Sequence, residues 1–140
     1  MTEVQIWYTI LMVVSCVFAI LRGWEQAILW SRLGADSYSW NEHLLFVGIR
    51  SIYLITILLA TQLTIIAGLF IAGAFILSFA FFHDGMYYEQ RYQIDNRVYR
   101  KRWWSNPSLT TTSKIKFTST TRIVLALIGL GVFIAGLFVI

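Results

Sequence analysis

The 140-residue chain is 58% hydrophobic and only 13% charged, with a mean hydropathy of +0.68; a soluble domain carries about a quarter charged residues, so an ordinary water-soluble globule is excluded. The single Cys16 excludes a disulfide framework and a cysteine metal cluster. A net charge of +4 is what a membrane protein with basic cytoplasmic loops shows, so nucleic acid is not an expected partner.

The first apolar run, Val4 to Leu21, has no basic residues before it and is followed directly by Arg22-Gly23-Trp24-Glu25. It reads as a retained span, not a removed signal peptide. A first helix is expected over about 4–33, ending at Leu33-Gly34. Ser39-Trp40-Asn41-Glu42 has the Ser-x-x-Glu spacing of a capping box, so a second helix is expected over about 40–60. From Ser51 to Phe82 no side chain is charged. As one helix that run would extend roughly 48 Å at ~1.5 Å per residue, against a hydrocarbon core of about 30 Å, and so reads as two crossings. The polar residues Thr61-Gln62, with Thr64 close by, place the turn, and a third helix is expected over about 63–82. His83-Asp84-Gly85 reads as its exit, with Gly85 taking positive φ. The closing run Ile123 to Ile140 predicts a fourth helix over about 122–140. Small residues at four-residue spacing, Thr64, Gly68 and Ala72, and Gly131 and Ala135, are read as packing faces within the bundle.

The fold class is therefore an all-α integral membrane protein, a single domain built as a four-transmembrane-helix bundle with a polar loop over 83–121. That loop is rich in cations (Arg91, Arg97, Arg100, Lys101, Arg102, Lys114, Lys116), which by the positive-inside tendency makes it cytoplasmic and puts both termini outside a cytoplasmic membrane. Asp95-Asn96 between Tyr92-Gln93-Ile94 and Arg97-Val98-Tyr99 predicts a short β-ribbon, with Lys114 to Phe117 as a further strand; the competing pattern is a surface helix from Met86 to Trp104. Arg100-Lys101-Arg102-Trp103-Trp104 sets cations beside indoles, a composition suited to anionic lipid headgroups.

Ionisable residues near the spans mark a second candidate site. Helix counting gathers Glu25, Glu42, His43, Arg50, His83 and Asp84 at one membrane face. Arg50 is about 15 Å along a helix that starts at Trp40, deep enough to require a partner, and Glu25 is the expected one. The bland reading is a polar cluster that fixes the bundle. Two chemical readings stand beside it: a divalent metal on His43, His83, Asp84 and Glu25, or proton transfer by imidazole and carboxylate. No cofactor is expected otherwise, since phosphate loops, G-x-S-x-G and C-x-x-C are absent. The expected function is a non-catalytic subunit or a lipid- and protein-interaction module, partnered by membrane lipids, a homo-oligomer or a larger membrane complex. A membrane-embedded enzyme using the His and carboxylate cluster, and an oligomeric channel, are the alternatives.

Overall fold

A computed structural model describes residues 1–33, 42–61, 64–99, 102–104 and 117–140. Among them are four helices and no strand: α1 (Glu3–Leu33), α2 (Glu42–Thr61), α3 (Ile65–Ile94) and α4 (Ser119–Val139). α1, α3 and α4 are each long and apolar enough to cross a membrane. The described elements fold as helices, with the lengths and composition of a membrane protein.

The helix ends follow from side-chain caps. Thr64 sits in extended backbone and its hydroxyl accepts from Ala67 N at 3.2 Å, so α3 starts directly after the polar break that closes α2. Thr118 does the same for α4, accepting from Thr121 N at 3.2 Å, which starts that helix at Ser119 and takes Arg122 inside it. α2 starts at Glu42, and the upstream part of the expected capping box lies outside the described residues.

α3 is the hub. α1 and α4 pack along it, and touch each other little. α1 runs parallel to α3: Tyr8 is clustered with Ala67 and Ile71 at one end, and Trp30 meets Tyr87 edge-on at 5.4 Å at the other. α4 runs antiparallel to α3, and α2 lies alongside, touching both α1 and α3. Phe18 stacks on Tyr53 at 4.0 Å, and Arg50 lies over the Phe79 ring at 4.0 Å.

Two expectations are corrected. α3 does not exit at His83-Asp84-Gly85 but continues to Ile94. Gly85 is helical and buried, and its missing side chain makes room for the Trp103 indole instead of a left-handed turn. The first strand of the expected ribbon is also absent, because Tyr92-Gln93-Ile94 form the last turn of α3. Helical backbone there lets Arg91 reach the Tyr99 ring at 4.8 Å and Tyr92 underlie Arg102 at 4.8 Å. The turn at Asp95-Asn96 is real but reverses a helix: Arg97 N donates to Asp95 Oδ1 at 3.1 Å and Tyr99 N to Asp95 O at 3.2 Å. The helix that occurs stops at this turn, short of Trp104. Lys114 to Lys116 lie outside the described residues.

The small-residue faces divide. In α4 it is Gly129 and Gly136 that are buried, and a Cβ at Gly129 would come within 2.8 Å of Ala74 O. A Cβ at Gly131 would meet nothing within 4 Å and Ala135 is exposed, so that pair does not pack inside the described bundle. On α3 Gly68 is buried, whereas Thr64 is exposed.

Candidate functional site

Two groups of side chains lie near the same end of the bundle. The first is a charged layer around His83 and Asp84. α1 lies against α3 here through Gly23, whose hydrogen faces the His83 carbonyl, where any larger residue would collide. His83 is 7% exposed and its Nδ1 is 2.8 Å from Asp84 Oδ1. Its other ring nitrogen, Nε2, is buried with no hydrogen-bond partner. Phe79, one turn earlier, stacks on the His83 ring at 4.8 Å and also carries the Arg50 guanidinium over its face. Arg50, Phe79 and His83 therefore form a chain of contacts from α2 into α3.

Asp84 is the acid at the centre of this layer. Its charge acts on Arg50 from α2, on His83, and on Arg122 from α4. Arg22 from α1 opposes Arg50 and His83 from the other side. Arg122 is 2% exposed, with its guanidinium 5.3 Å from the Tyr88 ring centroid. Each of the four helices thus contributes to the layer, α3 with His83 and Asp84 and the other three with one arginine each.

Arg50 does face the bundle, but Glu25 is not its partner. Glu25 pairs with Arg22, three residues before it on α1, and its side chain is half exposed. A pair one turn apart on one helix needs no tertiary closure, which is why it forms in preference to the distant one. The side chains of Glu42 and His43 lie outside the described residues. Among the described residues no group of three His, Cys, Asp or Glu side chains is close enough to hold a metal; of the expected set, His83 and Asp84 are in contact.

The second group is the turn Arg102-Trp103-Trp104, laid back along α3. Arg102 Nη1 is 3.8 Å from Glu89 Oε1, Trp103 sits on Gly85, and Phe81 meets Trp103 at 6.0 Å and Trp104 at 5.7 Å. Arg102 and Trp104 are exposed. Arg100 and Lys101, expected beside them, lie outside the described residues.

Comparison with protein-family models, curated proteins and solved structures finds no match. Geometry and chemistry therefore carry the functional reading. Arg122, expected as the first residue of the fourth helix, is the member of the layer that the sequence did not gather with the others. Its one available signal was its position directly before the apolar run Ile123 to Ile140, which a cap four residues upstream converts into a buried helical site.

Proposed function

We propose that the chain is a four-helix integral membrane protein acting as a non-catalytic module that docks anionic lipid, and through it a homo-oligomer or larger membrane complex. The observation that carries this reading is the seating of the Arg102-Trp103-Trp104 turn beside Phe81 and Gly85. From Thr64 to Asp84 α3 rises about 30 Å, the thickness of a hydrocarbon core. A slab that begins at Thr64 ends at the charged layer, and the two indoles fall where headgroups begin. Arg50 then stands about one turn inside the boundary with its guanidinium over the Phe79 ring, and no charge is needed at the bilayer centre. In this placement α2 is the fourth crossing, the basic side is cytoplasmic and both termini are outside.

Reversing Arg100, Lys101 and Arg102 to Glu tests it. With about 1 kcal/mol per cation near an anionic surface, retention of phosphatidylglycerol over phosphatidylcholine in native mass spectra should fall roughly a hundredfold. Unchanged retention would reject the module reading.

A second reading, a membrane-embedded enzyme, is favoured by one observation: Asp84 orients His83 through Nδ1 while Nε2 stays buried and open. That is the base-and-orienter half of a catalytic arrangement. Bound divalent metal, or a turnover, that disappears in His83→Ala with folding intact is what this reading requires.

A further inference from the structure

α1 and α4 meet at the end of the bundle away from the charged layer. There Tyr8 stacks on Phe133 at 5.0 Å, its hydroxyl donates to Phe133 O at 3.1 Å, and Gln5 Nε2 donates to Leu137 O at 3.0 Å. Toward the charged layer the two helices part on either side of α3 and leave a cavity of about 520 Å³ between them. Small-molecule sites span about 300–1,000 Å³, so this is a site-sized space. Val13, Cys16 and Val17 line it from α1, and Ala126, Leu127 and Leu130 from α4.

The chemistry of the walls selects the occupant. Two hydroxyls border the space, and both have spent their hydrogens on their own helices: Thr9 Oγ1 donates to Gln5 O at 2.8 Å and Ser78 Oγ to Ala74 O at 2.7 Å. A ligand with polar atoms along its length would lose its water there and find neither hydroxyl hydrogen free to donate. Hydrocarbon loses nothing.

The dimensions narrow it further. Between Phe133 and Ile123 the α4 wall rises about 15 Å, half of a ~30 Å hydrocarbon core and hence the depth of one leaflet. Val13, Val17, Leu127 and Leu130 are all exposed, so the space opens sideways to the bilayer. Its end near the charged layer is bordered by Trp104, and the neighbouring Arg102 guanidinium is well exposed. A chain lying in the cavity would bring its headgroup to a cation and an indole.

We infer that the cavity between α1, α3 and α4 holds one acyl chain of a phospholipid from the leaflet on the basic side, with the headgroup phosphate at the Arg102–Trp104 turn. The headgroup half rests on the lipid-docking reading of that turn. The chain half rests on the cavity.

The test uses the full chain in phosphatidylcholine vesicles carrying a trace of phosphatidylglycerol or phosphatidylcholine with a mid-chain diazirine, followed by mapping of the photoadducts. Adducts should concentrate several-fold on the groove faces of α1 and α4 relative to outward residues such as Ile52, Leu69 and Ile76. Ala126→Trp, which fills the space, should remove that excess while circular dichroism and melting stay unchanged, and Val17→Trp supplies the same block from the opposite wall should the first variant fail to fold. Adducts spread evenly over the outward faces and unmoved by either filler would overturn the inference. So would groove labelling that vanishes as protein density in the vesicle rises, because a second copy of the chain would then be the occupant. Equal labelling by both headgroups, still focused on the groove, upholds the chain site and rejects the anionic-lipid reading of the turn. Selectivity for phosphatidylglycerol without focus on the groove does the opposite.

Discussion

Asp84 is hydrogen-bonded to His83 Nδ1 at 2.8 Å, and its charge favours the charged forms of Arg50 and Arg122. Asp84→Asn should therefore lower stability in detergent by about 1–3 kcal/mol, the range for losing a charged hydrogen-bonding partner. Glu25→Gln removes an ion pair that is half exposed and screened, and should cost less than about 1 kcal/mol. Thermal melts of the two variants under one detergent condition check the contrast, and a reversed order would take Asp84 out of the centre of the layer. At the far end of the bundle, Tyr8→Phe deletes the hydroxyl that donates to Phe133 O while leaving the ring stack in place. Hydrogen bonds between membrane helices average about 0.6 kcal/mol and reach about 1.7, so a loss of roughly 1 kcal/mol is expected in the same assay.

α4 offers its glycines to two different environments, and the elements can be told apart by substitution. Gly129 lies against the α3 backbone and Gly131 meets open space. Gly129→Leu should push α4 off α3 at an overpacking cost of about 1–3 kcal/mol. Gly131→Leu, on an outward face, should stay within about 0.5 kcal/mol of the parent. If Gly131→Leu instead changes the oligomeric state on native gels, the outward Gly131 and Ala135 face is an intermolecular contact. α3 illustrates why boundaries read from charge alone fall short. His83 and Asp84 look like an exit because they are the first ionisable residues after the apolar run, yet cover from Gly23, Trp103 and Trp30 holds the backbone helical for nearly three more turns, to Ile94.

At the scale of the molecule, the alternation of α1 to α4 around the hub predicts which surfaces share a side of the membrane. In a Cys16→Ser background, single cysteines at Thr2 and Thr64 should react with an impermeant maleimide from one side of sealed vesicles, and a cysteine at Asn96 only from the other. Labelling of Thr2 and Asn96 from the same side would break the four-crossing arrangement while leaving the helices themselves intact. The basic turn adds a functional counterpart: Arg102→Glu alone should weaken preference for phosphatidylglycerol about fivefold, about 1 kcal/mol for one cation near an anionic surface, with no change in melting. Its guanidinium is exposed and its contact with Glu89 is 3.8 Å, too long and too wet to stabilise the fold.

Composition and hydropathy by themselves determine that this chain is helical and membrane-type, because no other structure satisfies its backbone over apolar runs of that length. The break at Thr61-Gln62 is legible for the same reason: polar side chains interrupt an otherwise continuous apolar run, and the Thr64 hydroxyl caps the helix that follows. So is the inward direction of Arg50, since a charge that deep has nowhere else to go. Three features required the tertiary structure. Glu25 chose Arg22 because a local pair forms without closure, whereas Asp84, the acid whose charge acts on Arg50, comes near it only once Arg50 of α2 lies over Phe79 of α3. Arg122 became a buried member of the layer because Thr118 capped α4 one turn early. The groove between α1 and α4 exists only because both helices pack on α3 and touch each other at one end, a relation between faces of distant segments that periodicity within either segment does not encode.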